Sequence, residues 1–187
     1  MSALRIGVLL SGGGRTLQNL LDRSADGRLD ARVVCVVSDR PGVFGVERAA
    51  RAGLPVLVSK DMDATFAFLR VHRVELVCLC GYLRLLRVPD DFRGRVLNIH
   101  PALLPKFGGK GFYGDRVHEA VLAAKELESG CTVHEVDQHY DSGAILLQRR
   151  VPVLPGDDAH TLAARVFEAE CEAYPEAITR WRAQHGG

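Results

Sequence analysis

The chain has 187 residues, 47% hydrophobic and 25% charged, with a formal net charge of +1. That is enough apolar material for one globular domain with a full core. The near-neutral balance removes any electrostatic case for nucleic acid or an anionic membrane as partner.

The first apolar run, "LRIGVLL" at 4–10, is too short to cross a bilayer and carries no signal-peptide cleavage pattern. A cytoplasmic protein is expected. Runs at 31–38, 74–80 and 95–99 are apolar on both faces, as in strands of a buried parallel sheet, and "PVLV" at 55–58 adds a short one. Helical spacing covers 16–25, 45–53 and 63–72 between them. Strand and helix in alternation predict an α/β fold: an open, mostly parallel twisted sheet with helices on both faces. After residue 101 the rhythm changes. A Gly-rich loop at 106–116 precedes a helix at 117–124, and strands at 130–137 and 144–153 predict an antiparallel extension after residue 130. A long amphipathic helix is expected from about 157 to 182, capped by Asp157 or Asp158 and kinked or interrupted at Pro175. No repeat or linker divides the chain, so a single domain over 1–187 is expected. The five cysteines, at 35, 78, 80, 131 and 171, show no CxxC spacing and read as small buried hydrophobes in a reducing compartment. Cys78 and Cys80 share a strand face, but buried apolar packing is expected there rather than metal binding. No metal is expected.

Three stretches can carry chemistry. "LLSGGGRTLQ" at 9–18 joins the first strand to the first helix, at the sheet edge where ligands of open α/β proteins bind. Glycines admit close backbone approach, and the free N–H groups of a helix N-terminus attract phosphate. The P-loop pattern is absent, and the dinucleotide pattern fails because Leu17 stands where its third glycine belongs. A phosphate-bearing ligand other than a dinucleotide is preferred over a merely tight turn.

The second stretch is "VLNIHPALLP" at 96–105. Residues two apart on a strand share a face, so Asn98 and His100 project side by side at a carboxyl end. An uncharged amide donor beside a titratable donor suits a carbonyl oxygen that becomes an oxyanion on attack. Pro101 and Leu104-Pro105 are expected to turn the chain away and leave that site open. The third stretch places Asp141 ahead of Ser142-Gly143, between two strand-like runs. Its carboxylate either receives backbone hydrogen bonds in the turn or lies near His100, raising the imidazole pKa and accepting protons from an attacking amine. Spacing does not choose between these.

Taken in order, "LLSGGGRTLQNLLD", "CGYLRLL", "VLNIHPALLP", "SGCTVHEVDQHYDSGAILLQ" and "AARVFEAECEAYPEAI" resemble the folate-dependent formyltransferases over nearly the whole chain. The resemblance implies a Rossmann-like formyltransferase fold. It also implies that the formyl group of 10-formyltetrahydrofolate, a co-substrate, passes to the amine of glycinamide ribonucleotide in purine biosynthesis. A deformylase, or a formyltransferase for another amine, is the alternative; deformylases usually carry an extra domain ahead of the catalytic one, whereas this chain starts at its first strand. On this resemblance Asn98, His100 and Asp141 are catalytic, with Asp141 keeping the imidazole protonated. Gly14, Arg15 and Thr16 would bind the substrate phosphate and Glu170 its amino end. Leu83, Arg84, Leu85 and Leu86, with Asn98, would hold the folate. The partners implied are small molecules only. Three features depart from the family's pattern: Gly-Arg-Thr at 14–16 where Gly-Ser-Asn is familiar, Phe167 where some members carry Lys or Gln, and a glycine-richer loop "FGGKGFYG", expected to be mobile over the substrate. His118 and His134 are expected in hydrogen-bonding roles beside the site or in the core.

Overall fold

The computed structural model describes residues 2–185; Met1, Gly186 and Gly187, the ends of the expected 1–187 domain, lie outside the described residues. The chain forms two compact units, Met1–Leu97 and Asn98–Gly187.

The first unit alternates strand and helix throughout: β1 (Leu4–Leu10), α1 (Arg15–Ala25), β2 (Ala31–Ser38), α2 (Phe44–Arg51), β3 (Val56–Val58), α3 (Met62–Val71) and β4 (Leu76–Leu79). Its strands lie in the order β3-β2-β1-β4, all parallel. β1 and β4 bury both faces, which is why their sequences are apolar without alternation. Helices cover them with single apolar stripes: Leu17 and Leu20 from α1, Phe66 and Leu69 from α3. Leu10 pairs with Ser38 and Leu9 with Leu79, so the turns that follow β1, β2 and β4 leave from one edge.

β5 (Val96–His100) leads into the second unit, which continues with α4 (Asp115–Ala123), β6 (Glu128–Glu135), β7 (Ile145–Pro152) and α5 (Ala159–His185). β6 and β7 pair antiparallel, and their register shifts between Val133 and His134. Such a bulge re-aims the side chain beside it. α5 runs along β6, β7 and α4 with Leu162, Val166, Ala173, Tyr174, Ile178 and Trp181 buried.

The expected fold class holds, with a parallel sheet first and an antiparallel pair after it. One expectation changes, and one choice is settled. α5 is not interrupted: it continues through Pro175, whose ring is buried within the helix. A proline in a helix loses one N–H bond, and a long apolar face against β6 and β7 outweighs that loss. The cap is Asp158 alone, whose carboxylate accepts the Thr161 N–H at 2.8 Å while Thr161 Oγ1 accepts the Asp158 N–H at 2.9 Å. Asp157 instead binds Arg165 through both oxygens, at 2.7 and 2.9 Å. Among the described residues no helix is long and apolar enough to cross a membrane.

Candidate active site

In the first unit, Gly14 caps α1 from the left-handed region, at φ 69° and ψ 27°, with no side-chain cap on the helix. A Cβ at Gly14 would lie 2.7 Å from the Gly45 Cα, so glycine is required by space as well as by φ. Side chains added at Gly12 or Gly13 would meet nothing, which leaves that backbone approachable. Sequence reading missed the brace of this turn. Arg48 of α2 donates from Nε to the Gly13 carbonyl at 3.0 Å and from Nη1 to Gln18 Oε1 at 3.0 Å. No spacing rule links residues 13 and 48; only the parallel sheet brings α1 and α2 together. Arg15 opens α1 as an exposed residue, and Thr16 beside it is half-buried.

The expected folate-binding stretch follows β4. Leu86 is buried, Leu83 and Arg84 are half-buried and Leu85 is exposed. The Leu83 N–H is held by Ser11 Oγ at 3.0 Å, and Arg84 Nη1 by the Lys60 carbonyl at 2.6 Å. The Leu83 amide is therefore occupied by the turn after β1.

In the second unit, the three expected catalytic residues come together. β5 presents Asn98 and His100 on one face, as their spacing requires. Asn98 Nδ2 donates to Asp141 Oδ1 at 3.3 Å and to His134 Nε2 at 3.1 Å. His100 Nδ1 lies 3.5 Å from Asp141 Oδ2. His134 Nε2 lies 3.5 Å from Asp141 Oδ1. The His134 Nδ1–H donates to the Glu135 carbonyl at 2.7 Å, which leaves Nε2 as the acceptor for Asn98 in the neutral ring. His134 is thus the fourth member of the cluster. The bulge in β6 turns it there, a signal that strand alternation alone does not carry.

The loop after Pro101 does not leave the imidazole open. His100 is only 4% exposed, and its Nε2 donates to the Phe107 carbonyl at 2.8 Å. Buried Thr132 holds the intervening chain, donating to the Ala102 carbonyl at 2.6 Å and accepting the Leu104 N–H at 3.1 Å. These bonds return the chain over the ring. The imidazole's protonation is pulled in two directions. Burial pushes the His100 pKa below its ordinary value, and the opposing pull of Asp141 and the Phe107 carbonyl does not restore it. Asp141 stands the other way. Burial would raise its pKa, but the adjoining His134 and His100 rings and the Gly109 N–H at 2.9 Å together hold the carboxyl below the usual carboxylate range. Asp141 reaches this position with a left-handed backbone, φ 54°, uncommon for a non-glycine residue.

Glu170 of α5 is buried, and its charge adds to the burial that pushes the Cys131 thiol up to about 12. His118 of α4 is buried with Nδ1 unpartnered, and burial lowers its pKa. None of the five cysteines forms a disulfide, and four are buried. Among the described residues no group of three or more His, Cys, Asp or Glu could hold a metal ion.

A donor amide, a buried imidazole and an ionised carboxylate around one point form a site for attack on a carbonyl-level carbon. The family model described as formyl transferase matches residues 4–178. The chain belongs to the formyl transferase family. It is 36% identical over 188 residues to the phosphoribosylglycinamide formyltransferase of Haemophilus influenzae, with 95% of this chain and 86% of that protein covered. It is 46% identical to the trifunctional purine biosynthetic protein adenosine-3 of Drosophila pseudoobscura pseudoobscura, matching 93% of this chain but only 13% of that longer protein. The chain likewise spans 59% of the chloroplastic phosphoribosylglycinamide formyltransferase of Vigna unguiculata, at 40% identity. Among solved structures, the glycinamide ribonucleotide transformylase 1 of Symbiobacterium toebii superposes with a TM-score of 0.87 at 42% identity, covering 95% of this chain and 86% of that one. The phosphoribosylglycinamide formyltransferase of Brucella melitensis superposes at 0.86 with 39% identity, covering 96% of each chain. The family's fold, an open sheet of mostly parallel strands with an antiparallel end, is therefore the fold of this chain.

Proposed function

We propose that this formyltransferase carries the formyl group of 10-formyltetrahydrofolate to the amine of glycinamide ribonucleotide, in de novo purine biosynthesis. The observation that carries the reading is the convergence of Asn98, His100 and Asp141 in a chain whose relatives bear that activity in their names. Both substrates are small molecules, and no metal is needed, because carbonyl activation falls to side-chain donors. The protein works as a single catalytic domain in the cytoplasm.

The amine attacks the formyl carbon, and the formyl oxygen gathers negative charge. Asn98 donates to that oxygen, and His100 joins it from Nδ1 once the ring takes up a proton, because Nε2 stays bonded to the Phe107 carbonyl. The 3.3 Å bond from Asn98 to Asp141 is the longer of its two, so it is the one the formyl oxygen displaces. Asp141, ionised, takes up a proton from the attacking ammonium-like nitrogen, directly or through water, and returns it toward the departing folate nitrogen. The Gly14, Arg15 and Thr16 turn binds the ribonucleotide phosphate through helix N–H groups, and Glu170 meets the amino end. Leu83, Arg84, Leu85 and Leu86 hold the folate ring system.

The test supplies 10-formyltetrahydrofolate with and without glycinamide ribonucleotide. Formyl transfer that requires the ribonucleotide is expected. Folate release at the same rate without any amine would overturn the reading in favour of hydrolysis.

A further inference from the structure

We infer that Gly108 is a positioning residue: its missing side chain lets the backbone of residues 107–109 close on His100 and Asp141 together and align them for reaction. The inference rests on the catalytic reading of that pair and adds the element that holds it.

The two residues flanking Gly108 each bind one member of the pair. The Phe107 carbonyl accepts the His100 Nε2–H at 2.8 Å, and the Gly109 N–H donates to Asp141 Oδ2 at 2.9 Å. The first bond commits Nε2 as a donor, so Nδ1 is the nitrogen that faces Asp141. The second places an N–H dipole on the carboxylate, favouring its charged form. One three-residue segment therefore fixes which imidazole nitrogen faces the acid and contributes to holding the acid ionised.

Space explains why position 108 must be glycine. A Cβ there would sit 2.4 Å from Leu104 Cδ2 and 3.3 Å from the Asp141 Cβ. Leu104 is buried, so its side chain has little free space to turn into, and its backbone is fixed by Thr132 and by Gln148 Nε2 at 2.9 Å. The neighbouring glycines differ in kind: Gly109 and Gly111 have φ of 95° and 98°, and a Cβ on either would meet nothing. They serve backbone conformation, whereas Gly108 serves a close approach to the acid. Phe107 completes the bend with a left-handed φ of 57°.

The titratable groups facing Asp141 are His100 from β5 and His134 from β6, and His118 from α4 feels the His100 ring and Asp115. Their protonation is the direct readout. The experiment compares wild type, Gly108→Ala, Leu104→Ala and the Leu104→Ala/Gly108→Ala double variant. Histidine and carboxyl titrations are followed by NMR on unliganded protein, alongside kcat and KM against pH. For Gly108→Ala we expect Asp141 to titrate at higher pH, the acidic limb of kcat to move with it, and kcat to fall ~10- to 100-fold, as for a small misplacement of reacting groups. KM for 10-formyltetrahydrofolate should stay within about threefold, since a positioning defect acts on turnover more than on ground-state binding. Removing the Leu104 methyls frees the space, so the double variant should return the Asp141 titration to that of Leu104→Ala. If Gly108→Ala does not fold, the double variant against Leu104→Ala decides. Unchanged titrations and kcat in folded Gly108→Ala, or no return in the double variant, overturns the inference. Loss of the proposed formyl transfer in wild type would instead overturn the functional reading, because the titrations need no substrate.

Discussion

The two units present reactive groups by opposite means. In the first, the groups proposed to meet the phosphate are backbone amides of one short turn, created where β1 ends and α1 begins. In the second, side chains arrive from three separated segments: Asn98 and His100 on β5, His134 on β6, and Asp141 in the turn before β7. A backbone site is robust to side-chain deletion and fragile to backbone geometry. A side-chain site has the reverse weakness. The glycines differ in one respect: Gly14 permits both a left-handed cap and a close approach to Gly45, while Gly108 permits a close approach alone.

Deletions should therefore be most severe in the second unit. Asn98→Ala should lower kcat by ~10²–10³, the usual consequence of losing a preorganised oxyanion donor, and His100→Ala by at least as much. Asp141→Asn keeps the shape and removes the charge, so steady-state kinetics should show slowed turnover with folate KM little changed. Near-normal kcat in any of the three would break the assignment of roles.

The first unit should respond to geometry instead. Gly14→Ala must place a side chain at φ 69° and within 2.7 Å of the Gly45 Cα. The conformational cost alone is about 1–2 kcal/mol, to be read as a lower melting temperature together with a raised KM for the ribonucleotide. An unchanged KM would separate this turn from the phosphate.

Acid titration sharpens the comparison, because the shifted histidines lie only in the second unit. Folded His100 and His118 resist protonation, so below the ordinary histidine value of about 6.5 the unfolded chain binds more protons and stability falls. Asp141, ionised below its ordinary value in the fold, adds a further loss at still lower pH. Thermal melting should therefore shift downward between pH 7.5 and 5, and His118→Asn should flatten the shift. Melting that rises toward pH 5 would show that the Asp141 charge outweighs burial and that His100 gains its proton on folding.

The smallest effects belong to the arginines of the glycine turn. Arg48→Ala removes the brace on the Gly13 carbonyl and should raise the ribonucleotide KM severalfold, with folate affinity intact. Arg15→Ala should do the same if its charge meets the phosphate. A KM unchanged only in Arg15→Ala would leave the brace, and not the exposed cation, as the contributor.

Much of this was legible locally. Apolar runs without alternation mark β1, β2 and β4 as buried strands because both faces of a parallel sheet are covered. The Asn98/His100 parity follows from the two-residue repeat of any strand, and the glycine turn is placed by the strand-to-helix junction. Pro175 does not interrupt α5: its local cost is visible in sequence, whereas the packing of α5 that offsets it is not.

By itself, then, the sequence determined the alternation of elements, the shared face of Asn98 and His100 and the glycine turn, since each depends on neighbours a few residues apart. Only the tertiary structure decided that Asp141 faces His100, that a bulge brings His134 to Asn98, and that residues 107–109 return to bury the imidazole. Those contacts join residues up to 43 apart. Their protonation depends on how much water the fold removes, which no local pattern records.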